Sequence, residues 1–243
     1  MSIVLVVGLL FSPALAQGTK VVVWSYYIFP PFIVTGSQGL NQDFIDLLNG
    51  EARGEFLFHL DVMPRKRIDL HLERNEPGVV LFVNPTWIHP PGHNNVVWTP
   101  PLFADRNAII SNVSRKVHYD GPASVRGLIM GGVFGRKYKG LEKAIARGDI
   151  IRKDTNDEEL NVLKLAERRI DFMTAPESVL HYLVARLGVE DRIYFSPTPL
   201  FEYTRHLLIN NGSPELETFL VNVINTLPEN PVWQEIRERY FLN

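Results

Sequence analysis

The run "GVVLFVN", residues 78–84, carries no polar side chain until Asn84. A strand with one wet face alternates apolar and polar residues, so a strand apolar at every position must be covered on both sides. Helices laid on the two faces of a parallel sheet do this. The preceding residues supply such helices. "KVVVWSYYI" reads as a strand, and "NQDFIDLLNGEA" as a helix capped by Asn41 with Phe44, Leu47 and Leu48 on one face. "EFLFHLDVM" alternates, with Phe56, Phe58, Leu60 and Val62 on one side, and "PRKRIDLHLERN" opens a second helix at Pro64. The β-α-β-α-β order predicts a parallel sheet between helices.

The pattern then restarts. "GLIMGGVF", "DIIRK" and "IDFMTA" read as strands separated by the helices "GLEKAIARG" and "TNDEELNVLKLAERR", the latter opening on a capping box from Thr155 to Glu158. "PESVLHYLVARLG" follows as a helix with Pro176 in its first turn and Gly188 just past its end. Two extended segments, "RNAIISN" and "TRHLLIN", bracket this second unit, and two helices, "SPELETFLVNVINTL" and "NPVWQEIRERYF", close the chain. Segments placed so predict two α/β lobes joined by a pair of crossing strands. The expected division is 17–108 plus 203–243 for the larger lobe and 109–202 for the smaller.

The first sixteen residues hold no charged side chain; "IVLVVGLLF" followed by "SPALA" reads as a secretory signal cleaved after Ala16. The run is short of the about 20 apolar residues that span a bilayer. A soluble, exported, monomeric protein is expected, periplasmic in location. Cys 0 removes disulfides, thiolate metal sites and a cysteine nucleophile. A formal net charge of −2 gives no footprint for nucleic acid.

"FPPFIVTGSQGLNQDFIDLL", "TWI", "VVWTPPLF", "VRGLIMGGVFGRKY", "LAERRIDFMTAPESVLHYL" and "LETFLVNVINTLPENPVWQEIRERYF" occur in that order. Together they resemble the family 3 extracellular solute-binding proteins, the amino-acid-binding branch of the type 2 periplasmic binding fold. The likeness runs through essentially the whole chain after the signal. It implies a small solute held between two lobes that close on it and are read by a membrane partner, either an ABC transporter permease or a sensor protein.

The resemblance also implies site residues, and several depart from the family's pattern. Its Y-x-P-F motif, whose Tyr stacks on the ligand, is matched by Phe29-Pro30-Pro31-Phe32, with Tyr26 and Tyr27 beside it to supply the lost hydroxyl. Phe29 is either that ring or a core residue. The T-x-x-R motif, whose Arg grips a carboxylate, is matched by Thr86-Trp87-Ile88-His89, so the arginine is absent. A neutral imidazole cannot replace a guanidinium fork. The glycine-led turn of the second lobe reads Gly135-Arg136-Lys137-Tyr138 and is expected to open a helix, with Arg136 as anion anchor or as solvated surface. The carboxylate that meets the ligand's amino group falls at Pro176, with Glu177 adjacent; a helix dipole explains Glu177 equally well. Positional transfer makes Tyr27, Phe29, Asn84, Trp87, His89, Arg136 and Glu177 the candidate ligand-binding set.

His89 and His93 have metal-like spacing, but Pro90, Pro91 and Gly92 forbid a helix and no nearby Asp, Glu or Cys completes a shell. No metal and no cofactor is expected, and Trp98 reads as core. The leading expectation is a non-catalytic binder of a small polar or aromatic, amino-acid-like solute. Its rivals are a dehydratase-like enzyme using Glu177 as general acid and a partner module that has lost its ligand.

Overall fold

The computed structural model describes residues 18–92 and 95–242. The expected signal with its cleavage point after Ala16 lies outside the described residues, and so does His93.

The chain begins with β1 (Thr19–Ser25), α1 (Leu40–Ala52), β2 (Phe56–Val62), α2 (Arg65–Glu73) and β3 (Gly78–Val83). β1 lies between β2 and β3 and is parallel to both. β3 is buried at every position: Val79, Leu81 and Phe82 face a cluster under α1, while Val80 and Val83 face one under α2 with Trp24, Ile68 and Leu72. Both faces of the strand are covered, as its unbroken apolar run demands. Gly78 has no alternative, because a Cβ there would lie 2.5 Å from the Trp24 ring.

Next come β4 (Val96–Trp98), β5 (Phe103–Asn112), β6 (Ile129–Val133), α3 (Glu142–Ala146), β7 (Ile151–Thr155), α4 (Glu158–Ala166), β8 (Phe172–Pro176) and α5 (Glu177–Leu187). β6 is parallel to β7 and β8. The chain ends with β9 (Ile193–Phe195), β10 (Phe201–Asn210), α6 (Pro214–Thr226) and α7 (Pro231–Tyr240). The sheet order is β2-β1-β3-β10-β5-β8-β6-β7, with β4 against β10 and β9 against β5.

β10 joins the two halves of this sheet. Its residues 201–205 pair antiparallel with β5, and beyond the register break at His206 it pairs with β3 and β4. β5 changes partner at Asn107, from β10 to β8. The two extended segments of the sequence are thus adjacent strands, each with one end in either half.

Four local expectations are corrected. Asn41 does not cap α1, which starts from Gly39; its side chain is buried, donating to the Tyr27 carbonyl at 3.2 Å and accepting from Ser25 at 3.3 Å. The cap of α4 is Asp157, whose carboxylate accepts from the Leu160 N–H at 2.8 Å. Thr155 ends β7 and Glu158 is drawn into an ion pair with Arg136, so the expected capping box does not form. No helix starts at residues 135–138; Gly135 has φ 75° and the chain turns there before α3. Trp98, expected as core, ends β4 and is only half-buried, against the α2-side cluster. The end of α5 is as expected, with Gly188 left-handed at φ 62°.

Candidate functional site

Where β5 and β10 run side by side, charged residues interrupt otherwise apolar strands. Asp105 and Arg106 on β5 stand opposite Tyr203 and Glu202 on β10, and Arg205 stands opposite Phe103. Arg205 is 1% exposed, and all five of its N–H groups are used. Nε and Nη2 donate to Asp105 Oδ2 at 2.9 and 2.8 Å, Nη2 to the Tyr203 hydroxyl at 3.3 Å, and Nη1 to the Tyr27 hydroxyl and the Phe82 carbonyl at 3.0 and 3.1 Å. The rings of Tyr27, Phe32, Trp87, Phe103 and Tyr203 surround the guanidinium at 5.2–5.8 Å.

The backbone is shaped to this residue. β3 carries one extra residue against β10 between Val80 and Val83, and Phe82 takes a left-handed φ of 56°. This bulge frees the Phe82 carbonyl from the ladder, and it accepts from Arg205 and Tyr27. Burial opposes the charge on Arg205, but Tyr203, Tyr27 and Asp105 outweigh it and hold the guanidinium well above its ordinary pKa. Burial pushes the Tyr203 phenol far up.

Beside this buried tie a cavity of about 750 Å³ opens, lined by Asn84 and Thr86 after β3, residues 104–106 of β5, residues 202–204 of β10, and Glu177 at the start of α5. Asn84 is fixed by donating to the Thr204 carbonyl at 2.9 Å and accepting from Thr86. In the same lining, Arg106 grips both oxygens of Glu177 in a fork, Nε to Oε2 at 2.8 Å and Nη2 to Oε1 at 2.6 Å. The Glu177 side chain is 6% exposed and that of Arg106 35%. The hydrogen bond to Glu177 raises the Arg106 pKa, burial works against it, and the charges of Glu177 and Glu202 add to the rise. His181, one turn along α5, comes within 3.8 Å of Glu177 and stacks on Phe195 at 4.3 Å. Burial lowers its pKa, with Glu177 opposing and Arg106 reinforcing the shift.

The structure places the seven expected residues in four settings. Asn84 and Glu177 line the cavity. Tyr27 is buried beneath it as a partner of Arg205, and Trp87 meets the Tyr203 ring edge-on at 4.8 Å. Phe29 and Arg136 meet each other, the guanidinium lying 5.6 Å from the ring centroid and ion-paired behind with Glu158. His89 is apart from the others: it lines a separate groove of about 160 Å³ against α2 with Arg65 and Asp69. Ile88, 2% exposed, is pulled into the α2-side cluster and carries His89 away from the cavity. Among the described residues no group of His, Cys, Asp and Glu could hold a metal ion.

Arg106, Glu202, Tyr203 and Arg205 are absent from the expected set. The signal for them is present in the sequence: arginines and carboxylates at the starts of two extended segments that are apolar further on.

Solved structures share this architecture. An ancestral arginine-binding protein bound to arginine matches with 15% identity over 93% of this chain and 99% of its own, at a TM-score of 0.66. The GluR0 ligand-binding core from Nostoc punctiforme in complex with L-glutamate matches with 15% identity over 91% of this chain and 99% of its own, also at 0.66. An ancestral cationic amino acid solute binding protein reaches 0.70 at 13% identity, over 93% and 97%. The chain has the type 2 periplasmic binding fold. No family model matches the sequence, and no curated protein matches it. At these identities the likeness is one of fold.

Proposed function

We propose that the protein is a solute-binding protein that takes a small ligand into the cavity between the halves of its sheet and presents it to a membrane transporter or sensor. One observation carries this reading: the cavity of about 750 Å³ lies on the strands that join the halves, and its lining brings Asn84 and the Arg106–Glu177 pair to one space. A pocket of this volume suits a small organic solute. In this reading the halves are lobes, 17–108 with 203–243 and 109–202, closing about β5 and β10. Asn84 and Glu177 touch the ligand, while Phe29, Trp87 and Arg136 shape the entrance. Export to the periplasm after cleavage behind Ala16 and action as a monomer belong to the same proposal. Among the described residues, no helix is long and apolar enough to cross a membrane.

Binding is favoured over catalysis by the engagement of Glu177. Both of its oxygens accept from Arg106, so the carboxylate is part of an ion pair and is not presented as a lone acid to a substrate. The test is a thermal-shift screen of the protein lacking residues 1–16 against amino acids, amines, sugars and small carboxylates. A ligand at 100 times its dissociation constant adds about 2.7 kcal/mol of stability, a shift of several degrees. Hydrolysis or elimination of the stabilising compound during incubation, or no shift with any class, overturns the reading.

A further inference from the structure

Resting on that reading, we infer that the cavity selects an organic cation, an amine or guanidinium compound without a free carboxylate. Three charged side chains give it its sign. Asp105 also borders the cavity, but it is engaged by the buried Arg205 and contributes no open charge. What remains is Arg106 flanked by two carboxylates. Glu177 takes the Nε and Nη2 fork at 2.8 and 2.6 Å, and Glu202, exposed on β10 directly opposite Arg106, also acts on the guanidinium through its charge. The lining therefore carries an excess of one negative charge, arising from Arg106 against Glu177 and Glu202.

A ligand carboxylate would have to reach Arg106 past Glu202. It would then have to displace Glu177 from the two-pronged fork, giving up both short charge-assisted hydrogen bonds of a carboxylate that is only 6% exposed. A ligand cation meets the opposite situation. Glu202 is an exposed carboxylate on the cavity lining, the Thr86 hydroxyl oxygen can accept a further hydrogen bond after donating to Asn84, and Tyr203 adds an aromatic ring to the lining. The Arg106–Glu177 pair stays intact in this mode. A guanidinium or ammonium enters without uncovering any buried charge.

Matched compounds that differ only at the carboxyl group test the inference. Agmatine, L-argininamide, L-arginine and L-glutamine would be titrated calorimetrically into the protein, with Glu202→Gln as the variant, since Glu202 is exposed and its loss uncovers nothing. Agmatine and argininamide are expected to bind at least tenfold more tightly than arginine, with no heat from glutamine. Glu202→Gln is expected to weaken agmatine at least fivefold while leaving the melting temperature of the free protein unchanged. Tighter binding of arginine or glutamine than of agmatine overturns the inference and leaves the solute-binding reading standing. So does agmatine affinity untouched by Glu202→Gln, or a ligand from the wider screen that carries no positive charge. If no compound of any class binds, the reading falls and the inference falls with it.

Discussion

Arg205 shows how one residue can be central to a fold yet inconspicuous in the sequence. In "TRHLLIN" it looks like a surface charge at a strand end, but it is 1% exposed, inside a ring of aromatics and paired with Asp105. Breaking a buried pair by removing one partner costs about 3–5 kcal/mol, because the other charge is left uncompensated. Arg205→Met should lower stability by that amount in urea unfolding, and adding Asp105→Asn should recover part of it by removing the stranded charge. Full stability in the single variant would show that the Ser178 hydroxyl and the Arg106 N–H, from which Asp105 also accepts, are enough to hold its charge. His181 gives a second expectation at this scale. Burial lowers its pKa from its ordinary value near 6.5, so the unfolded chain takes up a proton before the folded one. The stability that the neutral ring contributes is present above about pH 6.5 and is lost as the pH falls through the lower folded-state value. Urea midpoints measured from pH 7.5 down to 5.5 should decline, and His181→Gln should flatten that limb. An unchanged slope in the variant would assign the decline to other groups.

Elements are more legible than single contacts, because burial repeats along them. The covered strand β3, the apolar faces of α1 and α5, and the cap at Gly188 all follow from spacing that a reader can count. What spacing does not reveal is which polar side chain is recruited elsewhere. Asn41 and Glu158 both sit where a helix start could use them, but each is taken by a partner from another part of the chain, and only the tertiary structure brings those partners near. The same holds for the candidate site. Asn84 and Glu177 follow from motif position, while Arg106 and Glu202 stand out in the sequence only as charges at the starts of extended segments and are brought together when β5 and β10 lie side by side. The caps can be tested separately. Asp157→Ala should destabilise by about 1 kcal/mol, since its carboxylate satisfies the Leu160 N–H at the start of α4. A negligible loss would mean that water or a shifted start of α4 serves that N–H as well.

For the whole molecule, the question is what ties the two halves of the sheet to each other. β5 and β10 connect them, and a hydrophobic cluster runs from α1, α6 and α7 to α4 and α5. Another contact between the halves is Arg136 lying over Phe29, one residue following β6 and the other following β1. Exposed apolar residues flank it: Ile28 is 71% and Phe134 67% exposed. A cation–π contact contributes about 0.5–2 kcal/mol, which changes an open-to-closed ratio by roughly 2- to 30-fold. Phe29→Leu keeps apolar volume against Tyr27 and Phe32 but removes the ring face, and it leaves the Arg136–Glu158 pair in place. If the contact holds the halves together, small-angle scattering of the ligand-free variant should give a larger radius of gyration than the parent. A saturating ligand should then bring the two back to the same value. An unchanged radius in the ligand-free variant would mean that β5, β10 and the hydrophobic cluster alone set the separation, and that Arg136 over Phe29 only decorates it.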